Sequence, residues 1–132
     1  MAAKTKARKP KLAPADALKR EIQAVLTDEL RSDEHCADHG HYDGFAYVAA
    51  EAYFHLAGGY AAGVHPTHLK HRGKSHWWLT DPDGRVIDLT LAPREKSDFP
   101  YHRGTRRPFR YTPAGISRRA HLIVERVRAT RG

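Results

Sequence analysis

Residues 75–90 read SHWWLTDPDGRVIDLT. Two apolar runs, His76-Trp77-Trp78-Leu79 and Val86-Ile87-Asp88-Leu89, flank Asp81-Pro82-Asp83-Gly84. Proline arrives with the φ that the second position of a type I turn needs, and glycine accepts the positive φ that closes the loop. The stretch therefore predicts a hairpin with a three-residue loop, Pro82 to Gly84, ended by a bulge at Gly84. The register follows: Asp81 opposite Arg85, Leu79 opposite Ile87, Trp78 opposite Asp88 and His76 opposite Thr90. Side chains alternate along a strand, so His76, Trp78 and Asp88 share one face, and Asp88 is the diagonal neighbour of His76, within hydrogen-bond reach. A carboxylate that orients an imidazole is two thirds of a nucleophilic triad. An Asp beside a His on a hairpin is also a common polar contact with no chemistry, and the pattern alone leaves both readings open.

Working outward, His65 to Arg72 suits a strand and Gly73-Lys74 a turn into the hairpin. The expected sheet has at least three strands in antiparallel order. Upstream, GFAYVAAEAYFHL from Gly44 to about Leu56 is apolar nearly all round, the composition of a buried helix. Gly58-Gly59 follows as its C-terminal stop. A first helix opens at Pro14 and runs to about Leu30, with Leu18, Ile22, Val25 and Leu26 on one stripe. Arg31 to Asp43 reads as a polar loop. Downstream, Ala92 to Gly115 carries Pro93, Pro100, Pro108 and Pro113 and reads as an irregular wrap with short extended pieces. Ser117 caps a last helix of about a dozen residues that presents Ala120, Ile123, Val124 and Val127. The fold class is α+β: a central buried helix on a small antiparallel sheet, flanked by outer helices. Residues 1–12 are expected to form a disordered basic tail, and residues 13–132 a single domain.

The chain has 132 residues, enough for one modest core. Its apolar runs are too short to span a bilayer, so no membrane association is expected. The N-terminus is basic but lacks the apolar core of a secretory signal. A single cysteine excludes an internal disulfide, and a cytoplasmic setting is the expectation. The net charge of +8 is uneven. Residues 21–93 hold five Lys/Arg against eleven Asp/Glu, whereas both ends are strongly basic. Basic ends grip phosphates or simply stay solvated.

Two further clusters invite chemistry. His35-Cys36-Ala37-Asp38-His39-Gly40-His41 is dense in metal-ligand types, with Cys36, His39 and His41 as zinc donors and His35 or Asp38 as a fourth. Structural zinc normally uses two separated pairs, however, and the second group (His65, His68, His71 and His76) fits no common spacing. No metal or other cofactor is therefore assigned. Cys36 itself sits among Asp33, Glu34 and Asp38, which favour the thiol over the thiolate, so it reads as an ordinary free thiol. The segment YHRGTRRPFRY, Tyr101 to Tyr111, mixes aromatics with Arg103, Arg106, Arg107 and Arg110. It is suited to a nucleic acid or an acidic partner, or equally to wrapping an acidic core.

HWWLTDPDGRVIDLT resembles the His-strand, turn, Asp-strand block of the transglutaminase-like branch of papain-type thiol enzymes. Taken with GFAYVAAEAYFHLAGG and the terminal SRRA helix, the likeness extends from about Gly44 to Arg119. In this longer span it more closely resembles a group of small uncharacterised bacterial and phage-encoded proteins. The resemblance implies a papain/transglutaminase-like fold, with residues 13–132 a catalytic-type domain. It implies thiol-dependent acyl transfer or hydrolysis of a peptide or other amide or ester, as in a peptidase, amidase or transglutaminase-like enzyme. The implied triad is a nucleophile at position 46, His76 as base and then acid, and Asp88 fixing its tautomer. Tyr47 and Trp78 are the implied substrate-binding residues.

This sequence departs from the pattern at its centre. Position 46 is Ala where the resemblance calls for Cys, while Gly44, Phe45, Tyr47, Val48 and Glu51 around it match. A thiolate in the first turn of a buried helix would be favoured by the helix dipole. Ala46 supplies no nucleophile, so the chain as written is expected to bind substrate without turning it over. An isolated Ala in otherwise matching surroundings favours deliberate replacement over natural inactivity. The alternative function is a basic module that binds nucleic acid or an acidic protein without catalysis.

Overall fold

The hairpin of residues 75–90 forms one side of a four-stranded sheet. The structure, a computed structural model, describes residues 10–14, 16–30, 45–92, 95–112 and 115–131. Strands β1 (His65–His71) and β2 (Lys74–Thr80) pair antiparallel, from His65 opposite Thr80 to His71 opposite Lys74. Their two-residue turn holds Arg72 and Gly73 at φ 53° and 81°, the left-handed pair that a tight hairpin requires. β2 then pairs with β3 (Val86–Ile87) in the expected register, Leu79 opposite Ile87. Asp81 builds the loop: its Oδ1 accepts the backbone N–H of Asp83 and Arg85 at 2.9 and 2.8 Å. Gly84 takes φ 80° there, a conformation that costs glycine nothing. β4 (Thr105–Arg106) pairs antiparallel with the other edge of β1, giving the order β3-β2-β1-β4.

Alternation sorts the sheet into two faces. Trp77, Leu79, Ile87 and Leu89 point to one side, where α2 (Ala46–Ala57) packs, with α1 (Ala17–Ala24) and α3 (Arg118–Thr130) against it. Val48 through Phe54 are all buried, as an all-round apolar helix must be. Gly58, at φ 104°, ends α2 in a left-handed cap. His76, Trp78 and Val86 point to the other side, under a lid of Phe99, Tyr101 and Leu12. Gly104 belongs to this lid, because a Cβ there would fall 2.3 Å from two ring carbons of Trp78. α3 is capped by Ser117, whose side chain accepts from the Ala120 N–H, and it buries Ala120, Ile123, Val124 and Val127 as predicted.

Two expectations need adjusting. The first helix is shorter than its apolar stripe suggests. α1 is capped by Asp16 and ends at Ala24, and a separate 3₁₀ turn covers Asp28–Leu30. The freed carbonyl of Val25 and the hydroxyl of Thr27 are taken by the Arg126 guanidinium at 3.2 and 2.7 Å. That long-range partner satisfies the helix end. Lys11 and Leu12, which the sequence places in the disordered tail, are instead paired with the sheet. Leu12 bridges to Val86 in parallel, and Val86 exchanges backbone bonds with Lys11 and Ala13 at 2.8 and 2.7 Å. This pairing covers the outer edge of β3, which is otherwise an open hydrogen-bonding row. The polar loop from Arg31 to Asp43 lies outside the described residues.

Candidate functional site

Asp88 is the anchor of the site. The ladder stops at Ile87, and the chain turns so that Asp88 Oδ1 accepts both the N–H and the hydroxyl of Thr90, at 2.9 and 2.7 Å. Oδ2 meets His76 Nε2 at 2.8 Å and accepts the Tyr101 hydroxyl at 2.6 Å. Tyr101 in turn lies 3.2 Å from Ser97 Oγ. Both carboxylate oxygens are thus doubly bonded in a buried position. Burial pushes the Asp88 carboxyl up, but the hydrogen bonds and charge of His76, with Tyr101 and Thr90, outweigh it and hold the group at about 2. Tyr101 moves the other way: burial and the Asp88 charge both raise its pKa. Lys19, on α1, is pushed down by burial, with the charge of Asp88 opposing.

His76 sits at the mouth of this network, its side chain 20% exposed. Trp78 lies nearly parallel beneath the imidazole at 5.8 Å, and Phe99 leans on it at 4.7 Å. Nε2 is held by the carboxylate, so Nδ1 is the nitrogen placed to exchange a proton with a substrate. In front lies a cavity of about 410 Å³ walled by His71, Arg72, His76, Asp98, Phe99 and Tyr101, with Asp88 at its base. A fixed, charged partner and a partly open imidazole are the elements of a general acid–base centre.

The five residues singled out from the sequence part company here. His76 and Asp88 are joined. Trp78 is only 1% exposed and packs against Tyr101 and Phe99, so it backs the imidazole and offers substrate no open wall. Ala46 does not line the cavity in front of His76. It opens α2, whose next residue, Tyr47, packs edge-on against Trp77 at 5.1 Å and Phe109 at 5.4 Å. Trp77 points away from His76, so the first turn of α2 serves the opposite face. Tyr47 and Val48 line a second cavity there, of about 600 Å³, with Trp77, Arg107, Arg110 and Tyr111.

Tyr101, Thr90 and Ser97 were not anticipated. Thr90 carried a local signal, since an Asp two residues before a Thr favours this side-chain turn. Tyr101 carried none: nothing near it in the chain marks it as a partner of Asp88. Of the four arginines grouped with it, only Arg107 and Arg110 reach the second cavity, while Arg103 and Arg106 are exposed elsewhere.

The cluster from His35 to His41 lies outside the described residues. Among the described residues no group of three or more His, Cys, Asp or Glu side chains comes together to hold a metal. Strand alternation explains why the other histidines do not gather. His68 packs at a tilt against Trp77 on the helix side, whereas His71 and His76 contact Phe99 on the other. Nor is any helix among the described residues long and apolar enough to cross a membrane. No protein-family model, no curated protein and no solved structure matches the chain.

Proposed function

We propose that this chain is a papain/transglutaminase-like scaffold for acyl transfer or hydrolysis at a peptide or other amide or ester. In this reading His76 is the proton-transfer group and Asp88 its orienting partner. One observation carries the reading: a buried carboxylate that makes four hydrogen bonds grips a partly exposed imidazole that lines a cleft. Tyr101 and Thr90 add to it by leaving Asp88 one geometry in which to hold the ring. Position 46, with Cys in place of Ala, is where the resemblance seats the nucleophile. Ala46 makes the chain as written a binder of its substrate and not a catalyst.

On β2, β3 reaches only Leu79 and Thr80, so that edge of β2 from Lys74 to Trp78 has no ladder partner among the described residues. The test is to install the thiol as Ala46→Cys and follow its alkylation by iodoacetamide against pH, alone and with His76→Gln. Alkylation faster than that of free cysteine, slowed by His76→Gln, supports a coupled pair. Reaction at the rate of free cysteine, indifferent to His76, removes position 46 from the mechanism. Cys36 is changed to Ser in every sample so that one thiol reports.

A further inference from the structure

The second cavity lies on the opposite face of the sheet from His76, and it has a different character. Its wall carries Tyr47, Trp77 and Tyr111 together with Arg107, Arg110, Arg118 and Arg119, and among the described residues no Asp or Glu. Arg107 lies over the Trp77 ring and Arg110 over the Tyr111 ring, each at 5.6 Å. Elsewhere in the molecule arginines sit on carboxylates: Arg85 on Asp81, Arg126 on Glu29, Arg131 on Glu21. Among the described residues no carboxylate pairs with Arg107, Arg110 or Arg118. The acid behind the wall, Glu51, is fully buried, and its two oxygens are taken by the N–H and hydroxyl of Ser117 at 2.9 and 2.6 Å.

Guanidinium groups gathered around one hollow repel each other, and an anion between them relieves that repulsion. Guanidinium forks match the oxygens of phosphate, and several of them suit a dianion. The cavity, at about 600 Å³, is the size of small-molecule sites in general. Tyr111 is 47% exposed, leaving ring surface open for stacking. We propose that this cavity binds a phosphate-bearing ligand with a planar ring, of mononucleotide size. Arg107, Arg110 and Arg118 take the phosphate, and Tyr111 and Trp77 take the ring. A free nucleotide and the phosphorylated end of a single strand share this chemistry.

Trp77 and Trp78 are the only tryptophans, and they point to opposite faces, so their indole N–H signals report the two sides separately. The full-length chain, labelled with nitrogen-15, is titrated with adenosine 5′-monophosphate at low salt. Saturable movement of the Trp77 signal with Trp78 unmoved is the expected result. Arg107→Gln with Arg118→Gln lowers the affinity by at least about tenfold, whereas Arg103→Gln leaves it nearly unchanged. Adenosine lacking the phosphate binds more weakly by a similar factor. A 5′-phosphorylated oligonucleotide that binds more tightly than the mononucleotide identifies a strand end as the source, and equal binding identifies the free nucleotide. No movement of Trp77 up to millimolar nucleotide overturns the proposal. So does equal loss from Arg103→Gln, or tighter binding of an acidic peptide than of any nucleotide.

Discussion

The Tyr101 hydroxyl lies 2.6 Å from Asp88 Oδ2, the same oxygen that meets His76 Nε2. A residue from the irregular segment after the sheet thereby sets the position of a carboxylate just past β3, and through it the orientation of a ring on β2. Because that oxygen is shared, changes at Tyr101 reach His76 without touching it.

Replacing Tyr101 with Phe keeps the ring packing on Trp78 and Phe99 but removes the hydroxyl. Loss of a hydrogen bond to a charged group costs roughly 1.5–3 kcal/mol. Urea unfolding measures this cost. The Asp88 pKa should also rise, since one of the bonds holding it down is gone. Carbon-13 NMR of the side-chain carboxyl reads that directly, and an unmoved pKa would show that Tyr101 only packs.

Asp88 also dictates an acid limb. Its folded-state pKa is depressed from 3.8 to about 2, so between those values the unfolded chain binds more protons than the folded one. The stabilisation is complete above the upper value and is lost as pH falls towards the lower one. Its size is on the order of 2 kcal/mol. Stability measured from pH 5 down to about pH 2 should fall along this limb in the parent and stay flatter in Asp88→Asn.

Asp88→Asn should lower stability at neutral pH by about 3 kcal/mol, because it breaks a buried charge-assisted pair from one side. The imidazole loses its fixed partner as well. His76 ring signals that sharpen and move towards those of a free histidine are the expected signature. An unchanged ring environment would mean that Trp78 and Phe99 alone hold it.

Gly104→Ala places a methyl carbon against the Trp78 ring, and the ring, buried under Tyr101 and Phe99, has little room to yield. Overpacking of this kind costs about 1–3 kcal/mol. Substitution of Trp78 by Leu in the same chain should recover part of the loss relative to the two changes summed. Simple additivity in a double-mutant cycle would deny the contact.

At Ser117, one hydroxyl both caps α3 and donates to the buried Glu51. Ser117→Ala removes the cap, worth about 1 kcal/mol, and leaves a buried carboxylate oxygen short of a donor, worth about 1–3 kcal/mol more. Thermal unfolding checks the sum. Glu51→Gln should soften the penalty of Ser117→Ala, because the charge it strands is no longer there.

The hairpin was legible because its information is local. Asp81-Pro82-Asp83-Gly84 encodes a loop of known length, the loop sets the register, and alternation then puts His76, Trp78 and Asp88 on one face. Ser117 and Gly58 marked the ends of their helices for the same reason, each through its own backbone chemistry. The end of α1 was not legible, since the group that satisfies Val25 is Arg126, at the far end of the chain.

The sequence by itself determined the α+β class, the pairing of Leu79 with Ile87 and the meeting of His76 with Asp88, all matters of short-range turn chemistry and period-two patterning. Only the tertiary structure decided which side of the sheet each helix covers. Periodicity states that two faces differ but not which partner each will bury. That choice set the first turn of α2 beside Trp77, brought Tyr101 to Asp88, and gathered Arg107, Arg110 and Arg118 around one hollow.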